Sequence, residues 1–277
     1  MRRVAIFTDV HGLIEPLEAI LKDIKDRGIK EIYSLGDNIG TGPSPNLVID
    51  MLKENNVVSV AGNQEYYITI GVSPFLNYFN KGKIDNRNWI YKELSKENLE
   101  YVNSLPSSID LTIGSKKIAL CHFANDTRID YILHSTWTYQ DEIKLGGKAY
   151  LQFNYTNSSE QKKDIIKNKD NKKAFYDGFR SSYKDPLFNG KSPFEYDYVF
   201  QGHVHFKSKV ISPTTIFYTV GMAYYKNNMA TYIILEENNN DILIKEVYVT
   251  FNREKLLDRV RKSDLPDKAL INKFLRW

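Results

Sequence analysis

A single cysteine, Cys121, stands in a chain of 277 residues. That excludes an intramolecular disulfide framework and any cysteine-built zinc cluster, and it fits a reducing compartment, the cytoplasm. Long apolar runs are missing as well. Acidic, basic or Asn residues break every hydrophobic stretch within about ten positions, short of the ~20 needed to cross a bilayer, so no membrane partner is expected. Arg2 and Arg3 followed by Val4 to Phe7 could open a signal peptide, but Asp9 and His11 end its apolar part after four residues, and no secretory leader is expected. Nor is there a large excess of one charge: 38 basic residues against 34 acidic give +4. A pI near 8.8 permits anionic substrates, but so mild a balance is no argument for nucleic acid.

With 42% hydrophobic and 26% charged residues the composition is that of a folded globular chain. The length favours one domain over residues 1–277, with an inserted cap-like segment at about 123–195. The first 63 residues alternate strand and helix patterns in the order of a βαβαβ unit. Val4 to Phe7, Glu31 to Leu35 and Val57 to Val60 read as strands. Ile14, Leu17, Ile20, Leu21 and Ile24 recur at helical spacing, with Pro16 in the first turn and Gly28 as a stop. Ser44 to Asn55 reads as a second helix, capped by Ser44 with Pro45 in its first turn.

From Leu111 the pattern turns strand-rich. Leu111 to Ile113 and Lys117 to Cys121 flank Gly114-Ser115-Lys116 as a hairpin. Further strands are expected at Tyr198 to Phe200, Ser208 to Ile211, Ile216 to Thr219, Thr231 to Glu236 and Ile242 to Val249, the last two joined at Asn238-Asn239-Asn240. Between the halves, Gln161 to Lys184 carries eight basic and three acidic residues with Phe175, Tyr176, Phe179 and Tyr183 among them. It reads either as a lobe that contacts phosphate and base or as a solvated excursion anchored by its aromatics. Leu256, Leu257, Val260, Phe274, Leu275 and Trp277 read as a C-terminal segment docked on the core.

Polar residues able to ligate a metal follow five of the expected strands. They are Asp9 and His11, Asp37, Asn63, His122, and the pair His203 and His205, and four of the chain's five histidines are among them. Ligands bind in the crevice beyond the carboxyl ends of strands in open α/β sheets, so these loops are expected to converge there. Carboxylate, imidazole and amide donors without thiolate suit borderline or hard metals. Two ions about 3.5–4 Å apart need a ligand that can bridge, as a carboxylate can.

Asp9-Val10-His11, Gly36-Asp37-Asn38, Gly62-Asn63-Gln64-Glu65, the lone His122 and Gly202-His203-Val204-His205 resemble, in this order, the blocks D-x-H, G-D-x, G-N-H-D/E, H and G-H-x-H of the calcineurin-like metallophosphoesterases. The resemblance implies an α/β fold, a four-layer αββα sandwich, and a centre of two divalent or trivalent transition-metal ions (manganese, iron, zinc or nickel). Asp9, His11 and His205 would hold one ion, Asn63, His122 and His203 the other, and Asp37 would bridge them. Asp37, Asn63 and His122 would carry the catalysis. Asn38 and Glu65 are candidates to orient ligands or simply to close turns.

Gln64 departs from the pattern, because it stands where the family often has a histidine that protonates the leaving oxygen. An amide has no usable acid proton, and general acid catalysis matters most, about 10²- to 10⁴-fold, for poor leaving groups. The expected substrate is therefore a small phosphorylated or nucleotide-like molecule with a phosphodiester or phosphoanhydride bond, dinucleoside polyphosphates being the concrete case. His134, or the metals themselves, could instead supply what Gln64 lacks. A Ser/Thr protein phosphatase is the alternative, disfavoured because no arginine occurs between Asp37 and Arg87. A non-catalytic interaction protein on the same fold and a nuclease are the remaining readings.

Overall fold

The computed structural model describes residues 2–71, 80–124, 151–154, 187–226 and 228–275. The first half runs β1 (Arg3–Phe7), α1 (Ile14–Asp26), β2 (Glu31–Ser34), α2 (Pro45–Glu54), β3 (Val58–Ser59), α3 (Asn63–Thr69), α4 (Lys81–Glu93) and α5 (Lys96–Ser104). The second half runs β4 (Ser108–Ile113), β5 (Lys116–Cys121), β6 (Leu151–Asn154), β7 (Tyr198–Gln201), β8 (Ser208–Ile211), β9 (Ile216–Thr219), β10 (Met229–Asn238), β11 (Asp241–Thr250), α6 (Arg253–Lys262) and α7 (Lys268–Phe274).

The strands form two sheets, a five-stranded one in the order β11-β10-β1-β2-β3 and a six-stranded one in the order β4-β5-β7-β9-β8-β6. β1 shows why they stack. Val4 to Phe7 are all buried, so both faces of this strand are covered and its sequence is continuously apolar. Val4 and Ile6 meet Ile118, Leu120, Phe200 and Tyr218 of the other sheet. Ala5 and Phe7 point the opposite way, toward Leu17, Ile20 and Ile24 of α1 and Val48 and Leu52 of α2. Alternation along one strand thereby builds two cores. Cys121, Val199 and Phe217, on the outer face of the second sheet, are covered by Phe188 and Phe194 of two short turns and by Tyr196 just after the second. This is the α/β metallophosphoesterase sandwich that the motifs imply.

The expected strands and the first two helices are all present, with ends displaced by a few residues. β3 is cut to two residues and lies at a sheet edge. Ser44 sits at the N-cap of α2 with Pro45 behind it, but its hydroxyl makes no capping bond, because Ser44 has φ −126° and ψ 50° rather than an extended cap geometry. α4 and α5 have no counterpart in the sequence reading. α4 buries only Asn86 and Ile90, so its apolar periodicity is faint. Its trace in the sequence is the cap: Asn80 accepts from the Lys83 amide, as Ser95 accepts from that of Asn98 at α5.

Leu151–Asn154 falls within the expected insertion yet pairs in parallel with β8 at the edge of the second sheet. The aromatic and basic stretch from Gln161 to Lys184, and His134, lie outside the described residues. Among the described residues no helix is long and apolar enough to cross a membrane.

The C-terminal segment docks as its pattern suggests, with Leu256, Val260 and Leu275 buried in the core beside α1. Arg259 donates from Nε to Glu15 Oε1 at 2.7 Å, and Glu15 is almost wholly buried on α1. Removing the cation leaves a buried carboxylate alone. Arg259→Met should therefore cost about 2–4 kcal/mol, and Glu15→Leu/Arg259→Met should recover most of it. Urea unfolding of the three proteins measures the difference; equal loss in both variants would contradict it.

Candidate metal centre

Each of the seven residues lies just beyond the carboxyl end of a strand, four on loops of the first sheet and three on loops of the second. Asp9 and His11 follow β1, Asp37 follows β2, Asn63 opens α3 after β3, His122 follows β5, and His203 and His205 follow β7. Backbone bonds stitch the loops together. The Asp9 amide donates to Gly36 O at 3.0 Å, that of His11 to Asp37 O at 2.8 Å, that of Gly202 to His122 O at 2.9 Å and that of Ala223 to Thr8 O at 2.8 Å. Five of the seven, Asp9, His11, Asp37, His203 and His205, have positive φ between 51° and 71°. Non-glycine residues reach that region only at a cost of about 1–3 kcal/mol each, which the surrounding bonds must offset. Two glycines permit the approach. A methyl group at Gly62 would strike Asp37 Oδ1, and one at Gly202 would strike Thr8 Oγ1 and Asp9 Oδ2.

The side chains then meet as two clusters. His11 Nε2 and His205 Nε2 are 2.9 Å apart and stand 3.6 and 3.4 Å from Asp9 Oδ1. Asn63 Oδ1 lies 3.1 Å from His122 Nε2 and 2.8 Å from His203 Nδ1. Asp37 lies between the clusters: its Oδ1 is 3.4 Å from His122 Nε2 and its Oδ2 is 3.9 Å from His11 Nε2. His122 Nδ1 sits 2.8 Å from Leu35 O, a bond that leaves Nε2 deprotonated and free to ligate when the ring is neutral.

This donor set fits metal ions. Asp9 and Asp37 are almost wholly buried, and among the described residues no Lys or Arg pairs with either. Asp9 Oδ1 is buried and accepts no hydrogen bond, whereas Oδ2 takes those of Thr8 Oγ1 and the His203 amide. Groups of potential ligand atoms from Asp9, His11 and His205, and from Asp9, Asp37 and His122, each lie within 4.8 Å of one another. Buried carboxylates without a cation are costly, and ions would complete the charge balance.

The protonation states reflect that cluster. Burial disfavours a charged Asp9, but His205 beside it and the charges of the other imidazoles hold its carboxyl well below the usual range. Burial and the charge of His205 push His11 down to about 4, so its ring is neutral at pH 7. Burial acts the same way on His122, yet the neighbouring Asp37 outweighs it and raises the ring to about 9.

Glu65 is the main supporting group. Its carboxylate accepts from the amides of Gly62 at 2.7 Å, Asp37 at 2.9 Å, Asn38 at 2.9 Å and Ile39 at 3.3 Å, which fixes the Asp37 loop onto the start of α3. Burial, with the charge of Asp37 beside it, raises this carboxyl to about 7 against those donors. Asn38 has the other role considered for it: its side chain bonds Ser34 at 2.5 Å and Ser59 at 2.9 Å, closing the β2 and β3 ends rather than orienting a ligand. The clusters open onto a cavity of about 350 Å³ that is also lined by Gln64, Tyr67, Lys83 and Arg87. Tyr67 lies on α3 past the residues that the sequence motif marks, and Lys83 and Arg87 lie on α4, which the sequence pattern does not announce.

A two-sheet α/β sandwich with Asp, Asn and His side chains gathered at its strand ends defines the metallophosphoesterase class. The sequence model of the calcineurin-like phosphoesterase family matches residues 2–207, and the chain belongs to that family. Uncharacterized protein MJ0912 of Methanocaldococcus jannaschii is 40% identical over 119 residues, covering 43% of this chain and 48% of that relative, so the match spans about half the relative's length. Among solved structures, hypothetical protein PH1004 of Pyrococcus horikoshii shares the fold at a TM-score of 0.64 and 15% identity, over 100% of this chain and 99% of that one. A metallophosphoesterase from Sphaerobacter thermophilus does so at 0.59 and 19%, with the same coverage.

A cation must displace the proton that His122 holds up to about pH 9, so affinity should fall as pH falls, by up to tenfold per unit below 9, with protons released on binding. Calorimetry in buffers of different ionisation enthalpy checks this, and affinity constant from pH 7 to 9 would contradict it. Glu65→Gln replaces one accepting oxygen by an NH₂ group facing amide donors. It should destabilise the fold by about 2–4 kcal/mol and lower metal occupancy, read by thermal unfolding and elemental analysis; wild-type values for both would refute the role.

Proposed function

We propose that this chain is a two-metal phosphoesterase that hydrolyses phosphodiester or phosphoanhydride bonds in small nucleotide-like substrates, with dinucleoside polyphosphates as the concrete case. Membership of the phosphoesterase family supports the reaction class. The observation that carries the bond type is Gln64: its side chain lines the cavity beside Gly40, and its backbone N–H donates to Asp37 Oδ1 at 2.8 Å. This position beside the metal ligands supports reading residue 64 as the place of the general acid, a role that an amide cannot fill.

Asp9, His11 and His205 would hold one cation and Asn63, His122 and His203 the other, with Asp37 shared between them. Such a pair, when bound, lowers the pKa of water and stabilises charge on phosphoryl oxygens. The chain's residues set the geometry. Leu35 O holds the His122 ring, the His203 amide and Thr8 hold one oxygen of Asp9, and Glu65 holds the loop of Asp37. The low proton affinity of His11 keeps its ring neutral and able to ligate. Without an acid at position 64, the leaving group must be stable as an anion, which favours nucleoside phosphates and aryl oxides over alkoxides.

One domain with an insertion at about 123–195 and a cytoplasmic location are part of this reading, the latter resting on a chain with a single cysteine, Cys121. Manganese, iron, zinc and nickel all suit the ligands.

Chelation should abolish turnover and manganese should restore it. The metal-loaded protein should favour a diadenosine polyphosphate and an aryl phosphodiester over an alkyl monoester; strongest turnover on the alkyl monoester would refute the reading. Gln64→His should raise alkyl monoester turnover at least tenfold relative to the aryl diester, and an unchanged ratio would show that position 64 does not govern the leaving group.

A further inference from the structure

The cavity beside the metal centre contains two cations that the chemistry described so far does not use. Lys83 and Arg87 both line it from α4, four residues apart and so on one face of that helix. Lys83 is exposed, and among the described residues neither side chain makes an ion pair. Arg87 is held in place by its surroundings. Its Nε donates to Tyr67 O at 2.8 Å, its Nη2 to Ile68 O at 3.5 Å and its Nη1 to Asn88 Oδ1 at 2.9 Å, which occupies three of the guanidinium's five N–H groups. Bonds to the last turn of α3 explain Arg87 as a brace for that helix, but they explain neither Lys83 nor why both line the cavity. Ile90 and Leu270 add apolar surface to the same lining.

We propose that Lys83 and Arg87 bind the leaving phosphate of a phosphoanhydride substrate, so that the cavity selects molecules with a second phosphate next to the one attacked. This rests on the phosphoesterase reading and narrows it from two bond types to one. Balanced, the reaction bonds water's oxygen to the attacked phosphorus and breaks the bond from that phosphorus to the bridging oxygen. The electron pair of the broken bond stays on the departing phosphate, and a water proton passes to solvent. A phosphate with a second pKa near 6 departs as a stable anion, so it asks for cations where an alkoxide would ask for an acid. Gln64 on one part of the lining and the two cations on another are then parts of one specificity. Ammonium and guanidinium groups close to a phosphate each contribute a charge-assisted hydrogen bond, enough for roughly tenfold in affinity apiece.

The test compares Lys83→Ala, Arg87→Lys and the double variant with the unaltered protein, all loaded with manganese. The substrates are diadenosine tetraphosphate and bis(p-nitrophenyl) phosphate, whose leaving group carries no phosphate. kcat/KM for the tetraphosphate should fall about tenfold in Lys83→Ala and more in the double variant, while that for the aryl diester changes less than threefold. Calorimetry should show adenosine diphosphate binding about tenfold more weakly to Lys83→Ala. Arg87→Lys keeps the charge but loses the forked bonds to α3, so its thermal unfolding separates bracing from binding. Equal falls on both substrates, or no change in either the ratio or the affinity for the diphosphate, would overturn the proposal. Turnover of neither substrate by the unaltered protein would instead remove the phosphoesterase reading on which it stands.

Discussion

Two carboxylates, Asp9 and Asp37, are buried where the strand loops meet, with imidazoles and one amide as their neighbours and no lysine or arginine paired to either among the described residues. Placing such groups out of water is unfavourable unless positive charge accompanies them. Much of the local architecture makes sense as a way of holding this arrangement ready for cations. The left-handed backbone at five of the seven site residues is part of that cost, and the bonds between loops are what sustain it.

The sandwich supplies the rigidity. β1 is buried on both faces, so the loop carrying Asp9 and His11 leaves a strand that cannot shift without disturbing either core. The second sheet brings His122, His203 and His205 to the same edge, where the bond from Gly202 to His122 ties two of its own loops and that from Ala223 to Thr8 ties it to the first sheet. Position 62 must then be glycine for steric reasons, since a Cβ there would strike Asp37. Glu65, a single helical turn away, converts the start of α3 into an anchor for the same loop. Catalytic geometry of this kind depends on supporting groups as much as on ligands.

Much of this was legible in the sequence, and for identifiable reasons. Strands with strong apolar patterning, β1, β5, β7 and β10, announce themselves, and the polar residues just past them form an ordered series. What the sequence did not disclose is α4, because a helix that buries only Asn86 and Ile90 has no amphipathic signature, and with it Lys83 and Arg87 remained unnoticed. The conformation of Asp9 and His11 was equally hidden, since residues with side chains seldom adopt positive φ and nothing local demands it. Glu65 and Asn38 were indistinguishable as neighbours of ligands. Only their bonds separate an anchor of the Asp37 loop from a residue that closes strand ends.

The placing of Asp37, one oxygen toward His122 and the other toward His11, is the feature on which the two-ion account turns. Elemental analysis of the metal-loaded protein and of Asp37→Ala, each checked for folding by circular dichroism, tests it most directly. The account predicts two ions per chain in the first and no more than one in the second. A folded Asp37→Ala that still holds two would contradict it.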